Sequence, residues 1–93
     1  MAASVYNDDM SMNIHKIRAD ANRLMQALIT GGANSAEPMV NTWIYQKAVQ
    51  ASFENEELLT ALKYAEEQGW IGKGPREGWI CLTIAGETAA RSP

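Results

Sequence analysis

The stretch "GWIGKGPREGWICLT", residues 69–83, decides how the rest of the chain is read. Gly-Trp-Ile stands at 69–71 and again at 78–80, with a glycine- and proline-containing segment between. Trp70-Ile71 opens one strand, and Trp79 to Ile84 makes a second, alternating Trp79/Cys81/Thr83 with Ile80/Leu82/Ile84. The second set is the expected core face. GKGPRE suits a hairpin tip, with glycine where φ is unusual and two basic side chains, Lys73 and Arg76, exposed.

Working back from the hairpin, Gly69 ends a helix at about 56–68, capped by Asn55, whose buried stripe is Leu58, Ala61, Leu62 and Ala65. Phe53 lies in a tight connection to a shorter helix at about 43–51, capped by Asn41 or Thr42, with Ile44, Ala48 and Ala51 inward. Met39-Val40 after Pro38 fits a very short strand, and "GGANSAEP" (31–38) is loop by composition. Ile14, Ile17, Ala21, Leu24 and Leu28 are spaced by 3, 4, 3 and 4, one stripe of a first helix at about 14–29. Asn13 caps its start, and Gly31-Gly32 ends it. Lys16, Arg18, Asp20 and Arg23 fall on its polar side. Residues 1–12 have no period and are expected to form a mobile tail, with one domain from 13 to 93. A short helix at about 85–91 closes the chain.

Helix, short strand, helix, turn, helix, strand, loop, strand is an α+β order, mostly α. "FENEELLTALKYAEEQGWI" (53–71) and "GWICLTIAGETAA" (78–90), the latter with its Leu82-Thr83-x-x-Gly86 signature, resemble the winged helix-turn-helix family. The resemblance implies a winged helix: a three-helix core with a C-terminal β-hairpin wing and a short final helix. It also implies a small DNA-binding transcriptional regulator, with helix 55–68 in the major groove and 72–79 as wing. Carried over position by position, Asn55, Glu56, Leu59, Thr60 and Lys63 would face the groove, and Lys73 and Arg76 would be the wing contacts.

Charge supports a second reading. Of 93 residues, 11 are Asp or Glu and 8 Lys or Arg, giving a net charge of −3. Residues 54–67 hold five glutamates and one lysine. Glu56 and Glu57 suit the helix dipole, but glutamates near a duplex repel phosphate. Phosphate contacts would then come from Lys16, Arg18, Arg23, Lys47 and the wing. The alternative is a protein-interaction or homodimerisation module. Trp70 and Trp79 either pair on the hairpin's outer face, forming an apolar patch with Leu59 and Tyr64, or fold back on the first helix or the tail.

Other chemistry is not suggested. His15 is the only histidine and has no cluster of Cys or carboxylates beside it, so neither a metal nor another cofactor is expected. Adjacent glutamates on a helix point about 100° apart and do not converge as an acid/base pair. GKGPREG lacks a phosphate-loop pattern. The expectation is a non-enzyme. With no apolar run of membrane length, no secretory leader and a single cysteine, Cys81, a cytoplasmic protein with no membrane partner is expected.

Overall fold

A computed structural model describes the backbone of residues 2–91 and the side chains of 14–91. The elements are α1 (Ala2–Thr30), β1 (Pro38–Val40), α2 (Asn41–Gln50), α3 (Asn55–Glu67), β2 (Ile71–Lys73), β3 (Trp79–Leu82) and α4 (Ile84–Arg91). This is an α+β architecture, mostly helical, with a small antiparallel sheet. It is compatible with the winged helix that the resemblance implies.

The first helix starts earlier than its apolar stripe predicts. Residues 2–12 continue α1, and Asn13 is inside it rather than capping it. No glycine or proline occurs before Gly31, so a helix anchored on the core meets no breaker as it propagates toward the N-terminus. The expected 1–12 tail is thus helical in its backbone from Ala2, while Met1 and the side chains of 1–13 lie outside the described residues. At the other end Gly31-Gly32 does terminate α1: the Ala33 N–H returns to the Leu28 carbonyl at 2.9 Å. Among the described residues, no helix is long and apolar enough to cross a membrane.

The core is built around α1, against which α2, α3 and α4 all pack. Leu24, Met25 and Leu28 of α1 are fully buried with Ile44 of α2 and Leu82 of β3. Removing such a side chain from water contributes about 1.5–3 kcal/mol each. Ala61 and Ala65 of α3 are also fully buried, and Leu58 nearly so, while Leu62 is half-buried. Met25 lies one step off the predicted stripe, because a helix covered from several sides buries a wider arc than one ridge. Ile14 was expected on that stripe and is instead 52% exposed, at the edge of a shallow groove between α1 and α3.

The sheet has the order β1-β3-β2, so β3 lies in the middle. Met39 pairs with Ile80 on one side of it, and Lys73 pairs with the same residue on the other. Leu82 faces the core and Ile80 is half-buried. Ile84, expected as the third inward residue, is 74% exposed because the strand has already given way to α4. Thr83 makes that switch. Its hydroxyl accepts from the Gly86 N–H at 3.0 Å and donates to the Gly69 carbonyl at 2.6 Å, tying the end of α3 to the start of α4. A Cβ at Gly86 would overlap the Trp70 carbonyl, so this close crossing admits only glycine.

Candidate nucleic-acid interface

α2 and α3 are joined by residues 51–54 and are held at that turn by α1. Arg23 donates Nη1 to the Ala51 carbonyl at 2.6 Å, and its guanidinium lies 3.8 Å from the centre of the Phe53 ring. Its other nitrogen is 3.5 Å from Asp20 Oδ1. Ser52, at φ 66°, occupies the left-handed region that lets the chain reverse here. The Ala48 carbonyl closes the turn by accepting the Phe53 N–H at 2.9 Å.

The cap of α3 is Glu54, not Asn55. Glu57 Oε1 accepts the Glu54 N–H at 3.0 Å, a reach back from the third helical position that satisfies an otherwise free donor. Asn55 is thereby one residue inside, and its Oδ1 accepts from the Tyr45 hydroxyl of α2 at 2.9 Å. Asn41 and Thr42 do not cap α2 either: Val40 occupies that position and makes no side-chain bond. The Asn41 amide donates instead to the Gly78 carbonyl at 2.9 Å, joining the start of α2 to the hairpin.

The outward face of α3 presents Asn55, Glu56, Leu59, Thr60 and Lys63, all exposed. Thr60 and Lys63 also border a shallow groove of about 290 Å³, lined as well by Ile14, Ile17, Tyr64 and Glu67. In the hairpin, the Gly74 N–H donates to the Trp79 carbonyl at 2.9 Å and the Trp79 N–H to the Arg76 carbonyl at 3.1 Å. A Cβ at Gly74 would collide with the Trp79 backbone, which keeps this end of the loop tight. Lys73 and Arg76 are exposed. None of Lys63, Lys73 and Arg76 has an ion-pair partner among the described residues.

The cations expected to support them are differently placed. Lys16 reaches Asp20 at 2.8 Å and Glu57 at 3.0 Å, clasping α1 to the first turn of α3. Hydrogen bonding to Asp20, then to Glu57, raises the Lys16 pKa. The Glu57 carboxyl is held below its ordinary value, first by the Glu54 N–H and then by Lys16. Arg23 serves the turn, and the Lys47 ammonium sits 5.5 Å from the Trp43 ring centre while its stem covers Gly31. Three of the expected phosphate contacts are therefore occupied within the molecule.

Compared with known proteins, the chain matches no family model, no curated protein and no solved structure.

The expected aromatic patch does not assemble. Trp70 and Trp79 are not a pair: the register sets Ile71 opposite Leu82 and Lys73 opposite Ile80, leaving Trp70 before β2 and Trp79 opposite Val40 of β1. Trp70 is half-buried against Tyr64, edge to face with ring centres 5.7 Å apart. Trp79 lies by Trp43 and Pro38, across β3 from β2. Leu59 alone of the four is broadly exposed, at 57%. A concavity that sequence reasoning missed lies between α1 and α4. It measures about 700 Å³, and His15, Arg18, Asn22, Trp70 and Ala89 are among its lining. The two walls are about seventy residues apart in sequence, so no local spacing signals it.

Proposed function

We propose that the chain is a winged-helix domain that binds double-stranded DNA as a small regulator of transcription, with α3 in the major groove and the 72–79 wing against the backbone. One observation carries this reading: Asn55, Thr60 and Lys63 are exposed together on α3, and Lys73 and Arg76 are exposed on the hairpin. An asparagine suits an adenine edge, a lysine suits guanine, and threonine suits either or a thymine methyl. The hairpin cations suit phosphate.

The electrostatic share of such binding is small. With Lys16, Arg23 and Lys47 engaged internally, Lys63, Lys73 and Arg76 are the cations of this face. With Lys63 on a base edge, the two phosphate contacts of Lys73 and Arg76 correspond to a log–log salt slope of about −1.8, or about a 12-fold loss of affinity between 50 and 200 mM salt. The test is fluorescence anisotropy of a labelled mixed-sequence duplex at both salt concentrations. Absence of binding at the lower one ends the reading.

A second reading rests on Leu59, exposed on a helix that also exposes Glu56, Glu66 and Glu67. That face complements a partner protein presenting Lys and Arg around an apolar side chain. A second copy of the chain fits it poorly, because two-fold pairing sets glutamate against glutamate. Leu59→Lys separates the readings: it strengthens duplex binding and abolishes the protein contact.

A further inference from the structure

Of the three basic side chains on the described part of α1, Lys16 and Arg23 are bound within the molecule. Arg18 is exposed and has no ion-pair partner among the described residues. It borders the concavity of about 700 Å³ between α1 and α4, within the size range of small-molecule sites. Among the described residues lining it there is no Asp or Glu, although the chain as a whole carries −3.

The rest of the lining sorts into two kinds. Trp70 and the short side chains Ala19, Ala85 and Ala89 give an apolar surface without long side chains filling it. Asn22 and Gln26 add polar atoms held in place: Asn22 Nδ2 donates to the Ala89 carbonyl at 2.7 Å and Gln26 Nε2 to Asn22 Oδ1 at 2.9 Å. Thus one free guanidinium stands at the edge of an aromatic and alanine-lined groove whose polar groups are pre-positioned.

We propose that this groove is a binding site for a small aromatic carboxylate, its ring against Trp70 and the alanines and its carboxylate on Arg18. A planar guanidinium takes a carboxylate through two parallel hydrogen bonds, which a neutral amide cannot match. The site is separate from the α3 face and does not depend on what that face binds.

The test titrates the full ¹⁵N-labelled chain with 2-naphthoate and with uncharged 2-naphthamide, followed by heteronuclear NMR. Naphthoate is expected to shift the amides of Arg18, Asn22, Ala85 and Ala89 and the Trp70 indole N–H, and to bind about tenfold tighter than the amide. Arg18→Gln should bring the two affinities together. Ala85→Leu, at an exposed position that narrows the groove, should weaken both probes by about tenfold and serves alone if Arg18→Gln does not fold. The proposal is overturned by any of three results: no groove shifts up to about 5 mM naphthoate, an undiminished preference in Arg18→Gln, or unchanged affinities in Ala85→Leu.

Discussion

Replacing Arg23 by alanine separates a structural cation from a phosphate contact. Three interactions go at once. The bond to the Ala51 carbonyl, at 2.6 Å, is charge-assisted and contributes about 1.5–3 kcal/mol. Stacking over Phe53 at 3.8 Å adds about 0.5–1 kcal/mol. The ion pair to Asp20, at 3.5 Å and with the Arg23 side chain 41% exposed, adds little. Because these share one side chain they do not sum fully, and a net loss of about 2–3 kcal/mol is expected. For a domain of this size the urea dependence is roughly 1 kcal/mol per molar, so the midpoint falls by about 2–3 M. Equilibrium unfolding followed by far-ultraviolet circular dichroism measures this directly. A midpoint shift under about 0.5 M would refute the reasoning. If such a variant also bound duplex DNA with a shallower salt slope, Arg23 would be a phosphate contact and not the pin of the turn.

Gly86→Ala should cost about 1–3 kcal/mol in the same assay, because the new methyl meets the Trp70 carbonyl and Leu82 Cδ1. Lys73→Ala with Arg76→Ala should change stability by less than about 0.5 kcal/mol, both positions being exposed, while reducing the salt slope of duplex binding by about 2. Glu57, with its pKa held down, contributes stability that is present above its ordinary carboxylate pKa and is lost as pH falls through the depressed value. Urea midpoints of Glu57→Gln and the parent chain should therefore differ at neutral pH and converge in acid; a constant gap would contradict this.

The helices and the hairpin were legible because their signals are local. Leu24 and Leu28 repeat at helical spacing, Gly31-Gly32 and Gly69 stop helices, and the two Gly-Trp-Ile triplets mark paired strands. Caps were less legible. Asn13, Asn41 and Asn55 are the usual capping type, yet α3 is capped by Glu54 because Glu57 stands three residues on and the Tyr45 hydroxyl is there to take Asn55. The partners of long cations were not legible at all. Lys16 meets Glu57 and Arg23 meets Ala51 only after α1 has packed against the helix pair, 41 and 28 residues along the chain. The site inherits this division. Asn55, Thr60, Lys63, Lys73 and Arg76 were expected outside and are exposed, whereas Lys16, Arg23 and Lys47, grouped with them by charge alone, hold the fold together. Of the two placements expected for the tryptophans, pairing on the hairpin's outer face does not occur, while Trp70 does lie beside the first helix, the Thr83 N–H holding its carbonyl at 3.0 Å.

The central place of β3 has a temporal consequence. It joins β1 to β2, yet it is the last strand made, at residues 79–82. Until it emerges during synthesis, β1 waits with unpaired edges for a partner some forty residues downstream. The helices can collapse on one another early, through nearby contacts, but the sheet closes only in a late, long-range step. A nascent chain stopped before Trp79 would lack both ladders of the sheet at once, making Trp79–Leu82 the clasp on which closure of the sheet depends.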